Sequence, residues 1–141
     1  MFARVVPLVL LVSAVPAFAA APVSGRWVTP DRDSVIEIGA CDARVGGTKL
    51  CGRIARLLKP VQGGPAVDRN NPDVALRSRP ILGLPILLDF TDASKEWRGR
   101  AYDPRTGKTY RSVLTLAPNG TLRFKGCVAV FCQTQEWRRA Q

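Results

Sequence analysis

"WRGRAYDPRTGKTYRSVLTLAPNGTLRFKG", residues 97–126, is the stretch on which the fold turns. Successive side chains of a β-strand point to opposite faces, so an alternating pattern sorts a strand into an inner and an outer side. Trp97, Gly99 and Ala101 fall on one side of the first run, with Arg98 and Arg100 on the other. Tyr110, Leu114 and Leu116 then oppose Arg111, and Leu122 and Phe124 oppose Arg123 and Lys125. Two turn signals part the runs, Asp-Pro-Arg-Thr-Gly-Lys after Tyr102 and Pro-Asn-Gly before Thr121, where glycine supplies positive φ without steric cost. The sequon formed by Asn119, Gly120 and Thr121 is read as turn chemistry. The stretch predicts a three-stranded antiparallel meander with one apolar and one basic face.

The same texture continues outward. Strands are expected near 24–30, 33–39, 51–58, 84–90, 95–103, 108–116, 121–127 and 132–139. Trp27, Ile36 and Ile38 extend the inner side, and Gln135 and Trp137 oppose Glu136 and Arg138. Gly46-Gly47 marks a further hairpin, whereas 51–58 does not separate, with Ile54 and Arg56 on one side and Ala55 and Leu57 on the other. Eight antiparallel strands with one apolar side predict an all-β fold, a small up-and-down β-barrel, because closure removes the exposed edges. A β-sandwich is the alternative.

One long connection interrupts the alternation, and "DRNNPDVALRSRPILGLPIL", residues 68–87, is its core. Asn71 can cap, Pro72 suits the first helical position, Asp73 favours the positive end of the helix dipole, and Pro80 ends the helix. A helix of about two turns, Pro72 to Ser78, is expected in the 60–84 connection. In up-and-down order this connection leaves the same barrel end as the turn at Asp31–Asp33, the Asp-Pro-Arg-Thr-Gly turn and the Cys127–Cys132 loop. It caps one mouth, as a lid or as a plug. The polar start lacks the glycine and the distant glutamate of an EF-hand, so no calcium loop is expected.

Residues 1–21 carry Arg4, an apolar run from Val5 to Val15, Pro16 and the small-residue pattern Ala17-Phe18-Ala19. That is the form of a signal peptide cleaved after about Ala19 to Ala21, and the apolar run is shorter than the roughly 20 residues that span a bilayer. Residues 22–141 then form one exported domain, periplasmic or extracellular, without a transmembrane segment and expected as a monomer. The chain carries 21 Lys and Arg against 11 Asp and Glu, a formal net charge of +10. Cys41, Cys51, Cys127 and Cys132 permit three pairings, and local spacing favours Cys41–Cys51 and Cys127–Cys132 as clasps on two hairpins.

"GRWVTP", "IEIGACDARVGGTKLCGRI", "DRNNPDVALRSRPILGLPIL", "WRGRAYDPRTGKTY" and "LRFKGCVAVFCQTQEWRR", in this order from Gly25 to Arg139, resemble the bacterial exported family catalogued as domain of unknown function 2147. The resemblance implies a small envelope protein of calycin-like or lipocalin-like strand pattern. It carries over no activity and no site residues.

The chain has no histidine, which removes Ser-His-Asp and Cys-His catalysis and histidine metal ligation. Asp31 with Asp33 and Asp89 with Asp92 are conceivable carboxylate pairs, but both sit beside turn residues where Asp is expected for backbone hydrogen bonding. No catalytic residue, metal or cofactor is therefore assigned. An eight-stranded barrel can hold one small ligand, and Trp27, Trp97, Gly99, Ala101, Tyr110 and Trp137 are the candidate cavity residues. Arg69, Arg77, Arg79 and Arg105 are the candidates around the mouth, facing an anionic head group of a small apolar or amphipathic ligand. Arg98, Arg100, Arg111, Arg123, Lys125 and Arg138 form an outer basic face, suited to anionic lipid or envelope polymer. Aromatics for base stacking are scarce on that face, so nucleic acid is not expected. A purely structural envelope component is the remaining reading.

Overall fold

The computed structural model describes residues 19–141, so the leader expected over residues 1–21 lies, through residue 18, outside the described residues. Eight strands follow: β1 Gly25–Val28, β2 Ser34–Ala40, β3 Leu50–Leu57, β4 Pro85–Asp92, β5 Trp97–Asp103, β6 Lys108–Leu116, β7 Leu122–Val128 and β8 Phe131–Arg139. Each pairs antiparallel with the next, and β8 returns to β1, closing an up-and-down barrel. The meander read from residues 97–126 is β5, β6 and β7, with Trp97 opposite Leu114 and Leu114 opposite Phe124.

Two bulges set the faces that alternation alone leaves ambiguous. In β3, Val35 pairs with Arg56 but Ile36 pairs with Ile54, so Ala55 is the extra residue and Ile54 and Leu57 both turn inward. In β4, Leu88 pairs with Arg100 and Thr91 with Arg98, which leaves Asp89 and Phe90 opposite Gly99. Asp89 adopts a positive φ of 53° and points to solvent, while Phe90 is wholly buried. The Phe90 ring lies where a Cβ on residue 99 would sit, 2.6 Å from it, so the glycine is what admits the ring.

The barrel has a base and a mouth. The β2–β3, β4–β5 and β6–β7 turns form the base, packed by Trp27, Phe90, Leu114 and Leu122, none with any exposed surface. Burying each of these side chains contributes about 1.5–3 kcal/mol. Val23, ahead of β1, is buried against this cluster. The Arg139 guanidinium lies 4.2 Å from the Trp27 ring centre and donates to the Ser24 carbonyl at 3.0 Å, tying the end of β8 to the start of β1. Both expected disulfides are formed, Cys41–Cys51 at the base and Cys127–Cys132 across the β7–β8 hairpin at the mouth. Disulfides persist in oxidising compartments, which points to a protein outside the cytoplasm. No helix among the described residues is long and apolar enough to cross a membrane.

The helix in the 60–84 connection is present but shorter than two turns: a single 3-10 turn, Val74–Leu76, with no buried residue. The side chains of Asn71 and Asp73 take the N–H groups of Asp73 and Ala75, and Val74 stays 70% exposed, so no apolar stripe exists to hold a longer helix on the barrel. What packs against the core from this connection is Ile81 and Leu84, with the partly buried Ala66.

Candidate functional site

Above the packed base, the inner wall leaves a cavity of about 1010 Å³ open at the mouth. Ile36, Ile54, Leu57, Leu87, Ala101 and Tyr110 line it, with Phe124 and Trp137 stacked at 5.1 Å between ring centres. Gln133 and Gln135 bring amides to the wall, and the Trp137 indole N–H donates to the Gln135 side chain at 3.1 Å. Rim charge is mixed, with Asp31, Asp33 and Asp103 among Lys59, Arg69 and Arg105. The barrel wall is lower on one side of the mouth. Because β1 ends at Val28, β8 meets it only at Trp27–Arg139 and Val28–Arg138, and Phe131 through Glu136 stay exposed. Thr29 and Pro30 on one side of this gap and Phe131 and Gln133 on the other all line the cavity.

The roof of the mouth is organised by a carboxylate that carries no site assignment in the sequence reading. Asp68 is fully buried and accepts from the Tyr102 hydroxyl at 2.5 Å, the Asn71 amide at 2.8 Å and the Arg79 guanidinium at 2.8 Å. Burial pushes its pKa up, but these three donors outweigh burial and hold it below the ordinary carboxylate value. Tyr102 moves the other way, to about 12, through burial and the adjacent Asp68 carboxylate. Asn70 donates its amide to the Pro104 and Arg105 carbonyls at 3.1 and 2.9 Å, clamping the connection onto the β5–β6 turn. The polar run "DRNNPD" is this clamp.

Residues 25–139 match the family described as "Uncharacterized protein conserved in bacteria (DUF2147)". The chain belongs to that family. A solved structure, protein HP1028 from the human pathogen Helicobacter pylori, described as belonging to the lipocalin family, is similar in fold. Its TM-score is 0.71 at 22% identity, over 86% of this chain and 85% of that one. No curated protein matches the chain.

In this DUF2147 barrel, Ala101, Tyr110 and Trp137 of the six predicted cavity residues line the cavity. The other three lie elsewhere, and the reading is corrected for each. Trp27 is sealed in the base, its indole N–H on the Val23 carbonyl at 2.9 Å. Trp97 stands at the base end of β5, its indole N–H on the Ala21 carbonyl at 2.9 Å. Gly99 lies under Phe90. Among the mouth arginines, Arg69 and Arg105 reach the cavity, but Arg69 donates to the Gly63 and Pro65 carbonyls and Arg105 pairs with Asp103 at 3.2 Å. Arg79 is engaged by Asp68, and Arg77 donates to the Asn71 carbonyl at 2.8 Å, so neither faces the cavity. The predicted outer basic residues do lie on adjacent strands β5 to β8, yet Arg98, Arg100 and Arg123 stand beside Glu96, Asp89 and Glu136. Arg111 donates to the Ala129 carbonyl in the β7–β8 turn at 2.7 Å.

The two carboxylate pairs differ. Asp31 and Asp33 both reach the rim, where Asp33 accepts from the Thr29 hydroxyl at 2.5 Å. Asp89 pairs with Lys49 and Arg100, while Asp92 accepts from the Ala20 nitrogen. Phe124, Gly126, Gln133 and Gln135 are cavity residues the sequence reading did not single out. Their parity on β7 and β8 places them inside, and it was legible for all four.

Proposed function

We propose that this protein binds one small amphipathic molecule in the barrel and works, after export, in the periplasm or outside the cell. The observation that carries the reading is the cavity itself: about 1010 Å³, apolar and aromatic on its walls, with amides and charges confined to β8 and the rim. Ligand sites have this composition, typically in volumes of about 300–1,000 Å³. A lipocalin-like barrel is a ligand-binding architecture, which supports the same reading by analogy of fold. The rim offers three acidic and three basic side chains, so the head group it suits is polar or zwitterionic, or an anion able to draw Lys59, Arg69 or Arg105 from present partners.

A fluorescent polyene fatty acid and its zwitterionic lysophospholipid counterpart test the reading by direct titration. Gly126 is the position for blocking the site, because a Cβ there meets only Phe124, at an ordinary 3.5 Å, and its backbone carries no positive φ. Gly126→Leu is expected to weaken probe binding at least about tenfold while leaving the thermal midpoint within a few degrees. Equal binding by the wild type and Gly126→Leu, or none by either to both probes, would overturn the proposal.

A further inference from the structure

The base of the barrel is closed by the segment ahead of β1. Val23 is fully buried, and the two indoles of Trp27 and Trp97 hold the Val23 and Ala21 carbonyls at 2.9 Å each. One residue further out, the Ala20 nitrogen lies 3.0 and 3.1 Å from the two oxygens of Asp92, and Ala20 is only 8% exposed. The Ser94 N–H fixes the same carboxylate from the β4–β5 turn at 2.8 Å. A secondary amide has a single hydrogen for two nearly equidistant acceptors. A primary ammonium has three, and a charge that a carboxylate attracts.

We propose that Asp92 is a receptor for the α-ammonium of a mature chain that begins at Ala20. Both Ala17-Phe18-Ala19 and Ala19-Ala20-Ala21 present small residues at alternate positions, so the leader permits cleavage after Ala19 or after Ala21. The base distinguishes the two. Cleavage after Ala21 removes Ala20 from Asp92 and also takes away the residue whose carbonyl the Trp97 indole holds. Cleavage after Ala19 keeps both contacts and completes the first. An export peptidase hydrolyses the Ala19–Ala20 bond; water supplies hydroxyl to the Ala19 carbonyl carbon and hydrogen to the Ala20 nitrogen. That nitrogen, with an ordinary pKa of about 8, takes up one more proton near neutrality. Leader removal thereby creates the ion that locks the base, and the precursor lacks it.

The test starts from the full chain, leader included, produced in a bacterium that exports it. Intact mass and N-terminal sequencing are expected to find Ala20 first; any other first residue overturns the proposal. A second form, processed so that Ala19 is retained, is then compared with the Ala20 form by thermal unfolding, each with and without Asp92→Asn. Extension and substitution are each expected to lower the midpoint by about 2–5 °C, with the combined form no lower than the single ones. Additive losses, or no loss on extension, would show that the ammonium and Asp92 do not act on each other. Probe binding at the mouth is read separately, so this result and that of the cavity stand or fall independently.

Discussion

Asp68 is a fully buried carboxylate roofing the mouth, and its protonation state is coupled to how firmly the 58–84 connection sits. Its pKa is lower folded than unfolded, so its stabilisation is complete above the ordinary value of 3.8 and is lost as pH falls through the lower, folded value. Thermal midpoints measured from pH 6 down to pH 2 should therefore fall below about pH 4. In Asp68→Asn the midpoint starts lower, by about 1–3 kcal/mol of stability, and the acid slope is shallower. Some slope remains, because the pKa of Glu37 is also held down, by Arg53 and Arg26 on the outer surface, so its contribution too is lost on acidification. Tyr102 is protonated at every ordinary pH, its hydroxyl pushed up to about 12, so it acts as a donor throughout. Tyr102→Phe deletes one bond to a buried ion, and a loss of about 1.5–3 kcal/mol is expected in denaturant unfolding.

At the scale of elements, two turns are held by contacts whose loss should be measurable. Gly107, in the β5–β6 turn, has φ 71°, and a Cβ there would overlap the Asn70 carbonyl. Gly107→Ala should lift the connection from the turn, with faster proteolysis between residues 60 and 80 as the measurement. Across the β7–β8 hairpin, the Cys127–Cys132 bond closes a short loop; paired Ser substitutions should cost about 2 kcal/mol in the chain-entropy picture, read as a lower urea midpoint. The hairpins were legible because one face is apolar and glycines mark the turns, as in 97–126. The inner faces of β3 and β4 were not, since the bulges at Ala55 and at Asp89–Phe90 depend on register with a neighbouring strand. Gly99 was misplaced for the same reason: nothing local says that a phenylalanine from the next strand will lie on it. The two-turn helix followed from Asn71 as the cap and Pro72 as the first helical position; the cap is Asp73, and capping cannot substitute for an apolar stripe that Val74 and Leu76 do not bury.

For the whole molecule, occupancy of the cavity should stabilise the fold, since a ligand that binds only the folded state at 100 times its dissociation constant adds about 2.7 kcal/mol. The probe that binds should raise the thermal midpoint of the wild type by more than that of Gly126→Leu, by at least about 1 kcal/mol of stability at that concentration. The closed circuit of strands is uneven: β5 and β6 share seven residue pairs, β8 and β1 only two. Backbone amides of Phe131–Glu136 that face the gap should exchange with deuterium early and slow when the cavity fills. A site walled on every side measures a molecule's length, because whatever does not fit inside is refused. A site whose wall stops short on one side lets the surplus hang out. Binding along a series of lengthening acyl probes should then rise and level off, while a bulky branch near the head should abolish it, making the barrel a gauge of girth.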